Sequence, residues 1–110
     1  MNCLVRHAGV VVNDLDAAIE FWVTVFGFKI VRREIEESAK IDRLLDLTNA
    51  RLETCKLSDC NGNVVELLKF HSHESLIEED KSRLFNTGIS HLALTVWNLS
   101  EITERLAIYG

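Results

Sequence analysis

Two histidines and one carboxylate, His7, His91 and Glu66, are the residues of this 110-residue chain whose types and surroundings could do chemistry. Two imidazoles and a carboxylate converging on one point make a ligand set for a catalytic divalent metal that keeps positions open for water or substrate. Taken singly, a histidine on a strand is more often a satisfied or half-exposed residue than a ligand. A repeat shifts that balance. The stretch from Arg6 to Gly27 returns in shorter form from Ser90 to Gly110, offset by 84 residues. In both copies the histidine is followed at +5 by Val12 or Val96, at +7 by Asp14 or Asn98, and at +8 by Leu15 or Leu99. Self-similarity at a fixed offset marks a duplicated supersecondary unit, and each unit reads as a strand carrying a histidine, then a helix.

The elements that must position these residues follow from periodicity. Residues 4–12 alternate as a strand, with Ala8, Val10 and Val12 on one face and Val5, His7, Gly9 and Val11 on the other. Asp14 is an N-cap, Leu15, Ala18, Ile19, Trp22, Val25 and Phe26 recur at helical spacing, and Gly27 is a left-handed terminator. Residues 28–33 read as a strand, 34–40 as a charged loop or edge, and 41–47 as about two turns of helix. Residues 50–58 and 64–70 read as a hairpin around Asp59-Cys-Asn-Gly62, because Asn-Gly favours the positive φ of tight turns. In the second of these strands Glu66 shares a face with Val64, Leu68 and Phe70. A lone buried carboxylate in such a row is costly unless partnered or neutralised by a raised pKa.

Residues 71–87 are polar and acidic, with Leu76, Ile77, Leu84 and Phe85 as apolar anchors, and read as a connector with at most one helical turn. Residues 89–96 form the strand of the second copy, with His91, Ala93 and Thr95 on one face and Leu92, Leu94 and Val96 on the other. Asn98 and Glu101 suggest a capping box, and Leu99, Ile102, Leu106 and Tyr109 the stripe of a last helix.

Composition narrows the function classes. An apolar content of 47% with 26% charged residues suits one soluble domain. The net charge of −5 speaks against nucleic acid and anionic membrane as partners. No apolar run has the length of a membrane span, and the first residues lack a signal-peptide profile, which predicts a cytoplasmic location. Cys3, Cys55 and Cys60 are odd in number and lack a Cys-x-x-Cys pair, so they read as free thiols.

Other candidates carry less. His71 and His73 could clamp a metal but read more readily as solvated loop residues. Arg6, Arg32, Arg33 and Arg51 could grip an anion, yet scattered arginines are ordinary surface residues. Trp22 lies on the apolar helix stripe and belongs to the core, whereas Trp97 at a strand end is open to either role.

The segments from His7 to Gly27, Asn61 to Leu68 and Gly88 to Gly110 resemble the vicinal oxygen chelate superfamily, which includes glyoxalase I, methylmalonyl-CoA epimerase, extradiol dioxygenases and bleomycin-resistance proteins. The resemblance implies an α+β fold built from β-α-β-β-β modules, two of which cup a metal and substrate. It implies that residues 3–70 form a complete first module, 71–87 a connector and 88–110 the first strand and helix of a second, within a single glyoxalase-like domain spanning 1–110. It makes His7, Glu66 and His91 the metal ligands, while the last strands of the second module, including a fourth ligand, would fall beyond Gly110. The implied function is a divalent-metal-dependent lyase or isomerase acting on a small substrate with vicinal oxygens, the metal being zinc, nickel, cobalt, manganese or iron. Alternatives are a metal-free small-molecule-binding protein of the resistance type, a non-catalytic truncated fragment and, less favoured, an Fe(II) extradiol dioxygenase. An unfinished sheet edge with exposed apolar surface further predicts a homodimer.

Overall fold

The order of elements is β1 (Ala8–Val11), α1 (Leu15–Phe26), β2 (Lys29–Glu36), α2 (Ala39–Leu45), β3 (Leu52–Ser58), β4 (Val64–Phe70) and α3 (Leu99–Ile108). The structure, a computed structural model, describes residues 1–75 and 85–110. The four strands form one sheet in the order β1-β4-β3-β2, antiparallel except for the parallel pairing of β1 with β4. This is the mixed α+β architecture that the sequence implies.

Helix α1 forms where its signals place it. The Asp14 carboxylate accepts a hydrogen bond from the Ala17 amide at 3.0 Å, and Gly27 ends the helix at φ 72°, a conformation that costs a residue without Cβ little. Leu15 and Ile19 project from α1 onto one face of the sheet, where they meet Cys55, Leu57, Val65 and Leu67, with Phe28 closing the end. Alternation along each strand assigns these side chains to the helix-covered face; the opposite face carries Lys56 and Glu66 beside the buried Leu52 and Thr54 and is open only around the first two. Cys55 is wholly buried there and burial pushes its thiol pKa up, as befits an inert core cysteine.

Several boundaries move for local reasons. Helix α2 begins two residues earlier than expected because Ser38 caps it, accepting from the Ile41 amide at 3.2 Å, and it ends before Leu47 because Asp46 turns left-handed at φ 54°. Strand β2 runs on through the charged patch to Glu36, since its backbone finds partners along β3 as far as Leu52. At the hairpin, Asp59 accepts from the amides of Asn61 and Asn63, both at 2.9 Å, and Gly62 supplies φ 84°. Hydrogen bonding from Asn63 first of all holds the Asp59 carboxyl below its usual range.

One expectation is corrected. Residues 89–96, which alternate like a strand, join no strand of the described sheet. Period-two patterning makes a segment able to pair, but a ladder partner makes it a strand, and the free edge of β1 is not bonded to it. Helix α3 does form, with the Asn98 side chain accepting from the Glu101 amide at 3.1 Å. The reciprocal half of the expected capping box is replaced, because the Glu101 carboxylate pairs with Arg105 one turn on. Arg105 also donates to the carbonyls of Thr24 and Val25 at the end of α1, both at 3.2 Å, and Tyr109 meets Phe21 edge to face at 5.2 Å. A cation on the last carbonyls of a helix complements its dipole, so α3 docks on α1. The expected anchors Leu76, Ile77 and Leu84 lie outside the described residues, and Phe85 is exposed.

A chain of charges binds the elements together. Arg33 on β2 donates to Glu53 on β3 at 2.6 Å and pairs with Asp16 on α1 at 2.7 Å, while His71 Nε2 lies 3.2 Å from the other Glu53 oxygen. The Arg33 guanidinium, and secondarily His71, hold the Glu53 carboxyl below its ordinary value of 4.5. A carboxyl whose pKa is depressed by folding contributes stability that is present above its unfolded value and lost as pH falls through its folded one. The thermal midpoint should therefore drop on acidification below 4.5, and the drop should be shallower in Glu53→Gln, as thermal melts recorded across that pH range would show.

Candidate functional site

The open face of the sheet gathers charged side chains from β2, β3 and β4 together with the imidazole that precedes β1. In the parallel ladder Ala8 stands beside Val65 and Gly9 beside Glu66, so His7, one residue before β1, falls on the face that carries Glu66. His7 Nε2 lies 3.8 Å from Glu66 Oε1. Across the hairpin, Lys56 on β3 is the direct partner of Glu66, with Nζ 3.8 Å from Oε2, and on the next strand Arg32 stands opposite Lys56. Arg32 is itself paired with Glu34 at 2.8 Å. Glycine between His7 and Val11 keeps the approach low, because a Cβ at Gly9 would stand 3.2 Å from Leu68 Cδ1.

Glu66 is thus not the unpartnered carboxylate that its apolar neighbours suggested. Its side chain is 15% exposed and lies between an imidazole and an ammonium, which removes the cost that a lone buried charge would carry. Lys56 is the residue that sequence reasoning missed. The signal was available: counting outward from the Asp59–Gly62 turn sets Lys56 opposite Glu66 in a regular hairpin, and cross-strand neighbours on one face interact.

His7 and Glu66 come together; His91 does not join them. It is exposed, with Nδ1 2.7 Å from Ser90 Oγ, and among the described residues no group of three His, Cys, Asp or Glu side chains is close enough to hold a metal. Two donors are fewer than a metal centre needs, so a divalent ion at His7 and Glu66 would require a further ligand. Imidazole nitrogen with carboxylate oxygen suits borderline metals, and ligands about 2.1 Å from one ion stand about 3 Å apart, a small closure from the observed separation.

The other candidates resolve into structural roles. His71 pairs with Glu53, and His73 Nδ1 lies 2.7 Å from Ser72 Oγ. Arg33 is taken by Glu53 and Asp16, and Arg51 pairs with Glu37 at 3.4 Å. Trp22 packs edge to face against Phe26 and Phe28, as a core residue should. Trp97 is 84% exposed and borders a cleft of about 540 Å³ that opens between residues 5–8, the hairpin turn and residues 92–97. His7 and Arg6 also line that cleft. Cys3, Cys55 and Cys60 are all free thiols. Among the described residues no helix is long and apolar enough to cross a membrane.

A four-stranded sheet with a parallel β1–β4 pair and a helix on one face is the module of the glyoxalase fold. The family model of the Glyoxalase/Bleomycin resistance protein/Dioxygenase superfamily matches residues 4–110, and the chain belongs to that family. Among solved structures, it is similar to a glyoxalase family protein from Bacillus cereus at TM-score 0.87 and 24% identity, covering 99% of this chain and 74% of that one. A glyoxylase/bleomycin resistance protein/dioxygenase domain from Frankia sp. matches at TM-score 0.67 and 18% identity, over 99% and 75% of the two chains. The fosfomycin resistance protein FosX from Listeria monocytogenes, in a complex with Mn(II) and sulfate, matches at 0.64 and 17% identity over 99% and 73%. No curated protein sequence matches the chain.

Proposed function

We propose that this protein is a divalent-metal-dependent lyase or isomerase of the glyoxalase and epimerase kind, acting on a small substrate with two vicinal oxygens. The observation that carries this reading is the meeting of His7 and Glu66, 3.8 Å apart on the open face of the sheet and 59 residues apart in sequence. Family membership and the Mn(II) bound by FosX support it. His7 and Glu66 hold the ion, with His91 as a third ligand; zinc, nickel, cobalt, manganese and iron all suit such mixed donors. Bound there, the ion would supply Lewis-acid polarisation of the substrate oxygens. Glu66 brings the negative charge that fixes the cation, His7 ligates in its neutral form, and the adjoining cleft admits the substrate. Free thiols accord with a cytoplasmic setting.

In this reading residues 3–70 are the first module, 71–87 the connector and 88–110 the opening of a second module, which docks on another copy of the chain. The accessible surface is 8916 Å², against about 6,200 Å² for a compact monomer of 12.5 kDa. The edge of β1, unpaired among the described residues, and the exposed Ile89, Leu92 and Leu94 account for part of that excess. A homodimer that exchanges residues 88–110, so that the contacts α3 makes here with α1 of its own chain are made with α1 of the other, would cover them and bring His91 of one chain to His7 and Glu66 of the other.

A metal-free binding protein is the second reading, favoured by Lys56, whose ammonium already stands at ion-pair distance from the Glu66 carboxylate. Calorimetric titration of metal-stripped protein with Mn(II), Zn(II), Ni(II) and Co(II), combined with light scattering, separates the two. The expected result is about one ion per chain and a particle of twice 12.5 kDa. Absence of binding at micromolar metal would establish the metal-free reading, and a stable, well-folded monomer would refute the exchange.

A further inference from the structure

The cleft between residues 5–8, the hairpin turn and residues 92–97 has a chemistry of its own. Its lining is largely apolar. Phe28 and Val65 reach it from the core, and Leu92, Leu94 and Trp97 stand exposed beside it. A concave, mainly apolar cavity of about 540 Å³ with a few polar groups at its border is the ordinary form of a small-molecule site. If residues 88–110 are exchanged between copies, the same cleft forms with Trp97 supplied by the other chain.

The charges around the cleft decide which small molecule it takes. Asp59 lines it, but the hairpin turn satisfies that carboxylate: Oδ1 accepts from the amides of Asn61 and Asn63, and Oδ2 from the Asn63 side chain at 2.8 Å. The carbonyls of Thr24 and Val25 at the end of α1 are taken by Arg105, and His7 stands against Glu66. Arg6 differs. Arg32, Arg33, Arg51 and Arg105 each pair with a carboxylate, whereas among the described residues no ion pair or hydrogen bond engages the Arg6 guanidinium. It is also the one lysine or arginine along the cleft among those residues.

We infer that this cleft binds a small monocarboxylate with an aromatic body, Arg6 taking the carboxylate and Trp97 the ring. The planar fork of a guanidinium matches both oxygens of a carboxylate, and an exposed indole gives an aromatic ring a face or edge to pack on. A neutral ligand would leave Arg6 unmatched, and a second negative charge would meet no further arginine or lysine along the cleft. The inference rests on the reading in which the cleft admits the ligand; it adds the class of that ligand and draws nothing from a metal ion.

Naphthylacetate and its neutral amide are the probes, titrated calorimetrically at low salt into metal-stripped protein. Wild type should bind the carboxylate about tenfold more tightly than the amide, as one charge-assisted contact implies. Arg6→Gln should erase that preference while leaving affinity for the amide unchanged, and Arg6→Lys should restore part of it. Arg6 is exposed and precedes β1, so both variants should fold, which circular dichroism checks. Trp97→Ala should weaken both probes alike, and the indole N–H resonance of Trp97 in wild type should shift with either. Equal affinity for the two probes, no binding of either at millimolar concentration, a folded Arg6→Gln that keeps the preference, or an unmoved Trp97 resonance overturns the inference while leaving the metal centre to its own titration. Carboxylate uptake by protein that binds no metal upholds it and overturns the metal-centre reading alone.

Discussion

Replacing Glu66 with leucine should weaken divalent-metal binding by about a hundredfold or more while leaving the fold in place. Even outer-shell partners of a metal cost about 10- to 100-fold when removed, and among the described residues Glu66 is the carboxylate beside His7. Its stability contribution is small by comparison. The carboxylate is 15% exposed and both its contacts are at 3.8 Å, long for hydrogen bonds. Leucine at that position would extend the apolar row of Val64, Leu68 and Phe70 and remove the desolvation cost of the carboxylate. Lys56, left without its partner, keeps access to water. The paired measurements are metal titration and urea unfolding of the same sample. Loss of folding with metal affinity intact would assign Glu66 to structure.

The opposite pattern is expected on the other face. Leu57 is wholly buried among Leu15, Ile19, Cys55, Val65 and Leu67, so Leu57→Ala removes apolar contact and leaves a cavity that a packed sheet cannot collapse. Such changes cost about 2–5 kcal/mol, a large part of the 5–15 kcal/mol that holds an ordinary domain together. Leu44→Ala is the control: the side chain is 74% exposed on α2, and its loss should matter by less than about 0.5 kcal/mol. Urea midpoints for the two variants should differ accordingly, with unchanged m-values marking a loss of stability and not of cooperativity.

What could be read from the sequence was local. Asp14, the helical stripe and Gly27 define α1 without reference to anything distant, and Asp59 to Gly62 define the hairpin. Alternation set His7 in one row with Val5, Gly9 and Val11 and Glu66 in another with Val64, Leu68 and Phe70, but that the two rows share a face depends on the β1–β4 ladder, which alternation does not show. Long-range facts were harder. Residues 89–96 have the pattern of a strand, yet pairing depends on a partner edge that lies elsewhere in the chain or in another copy. Lys56 went unremarked because a charged residue on a strand reads as solvated until the cross-strand neighbour is counted. The end of β2 was read short because charges suggest a loop, whereas an edge strand tolerates them and is protected by them.

The attachment of β1 bears on the order in which the molecule assembles. Strands β3 and β4 are joined by a short turn and can zip from it, but β1 is only four residues long, has a single ladder neighbour among the described residues and pairs Ala8 with Val65, 57 positions away. Closing so large a loop costs entropy before any contact repays it, so β1 is the late arrival and the first to fray. The His7–Glu66 pair exists only once that strand has seated. Whatever binds the pair consequently recognises the finished sheet alone and acts as a clasp on its last-laid edge, stabilising the completed chain by mass action.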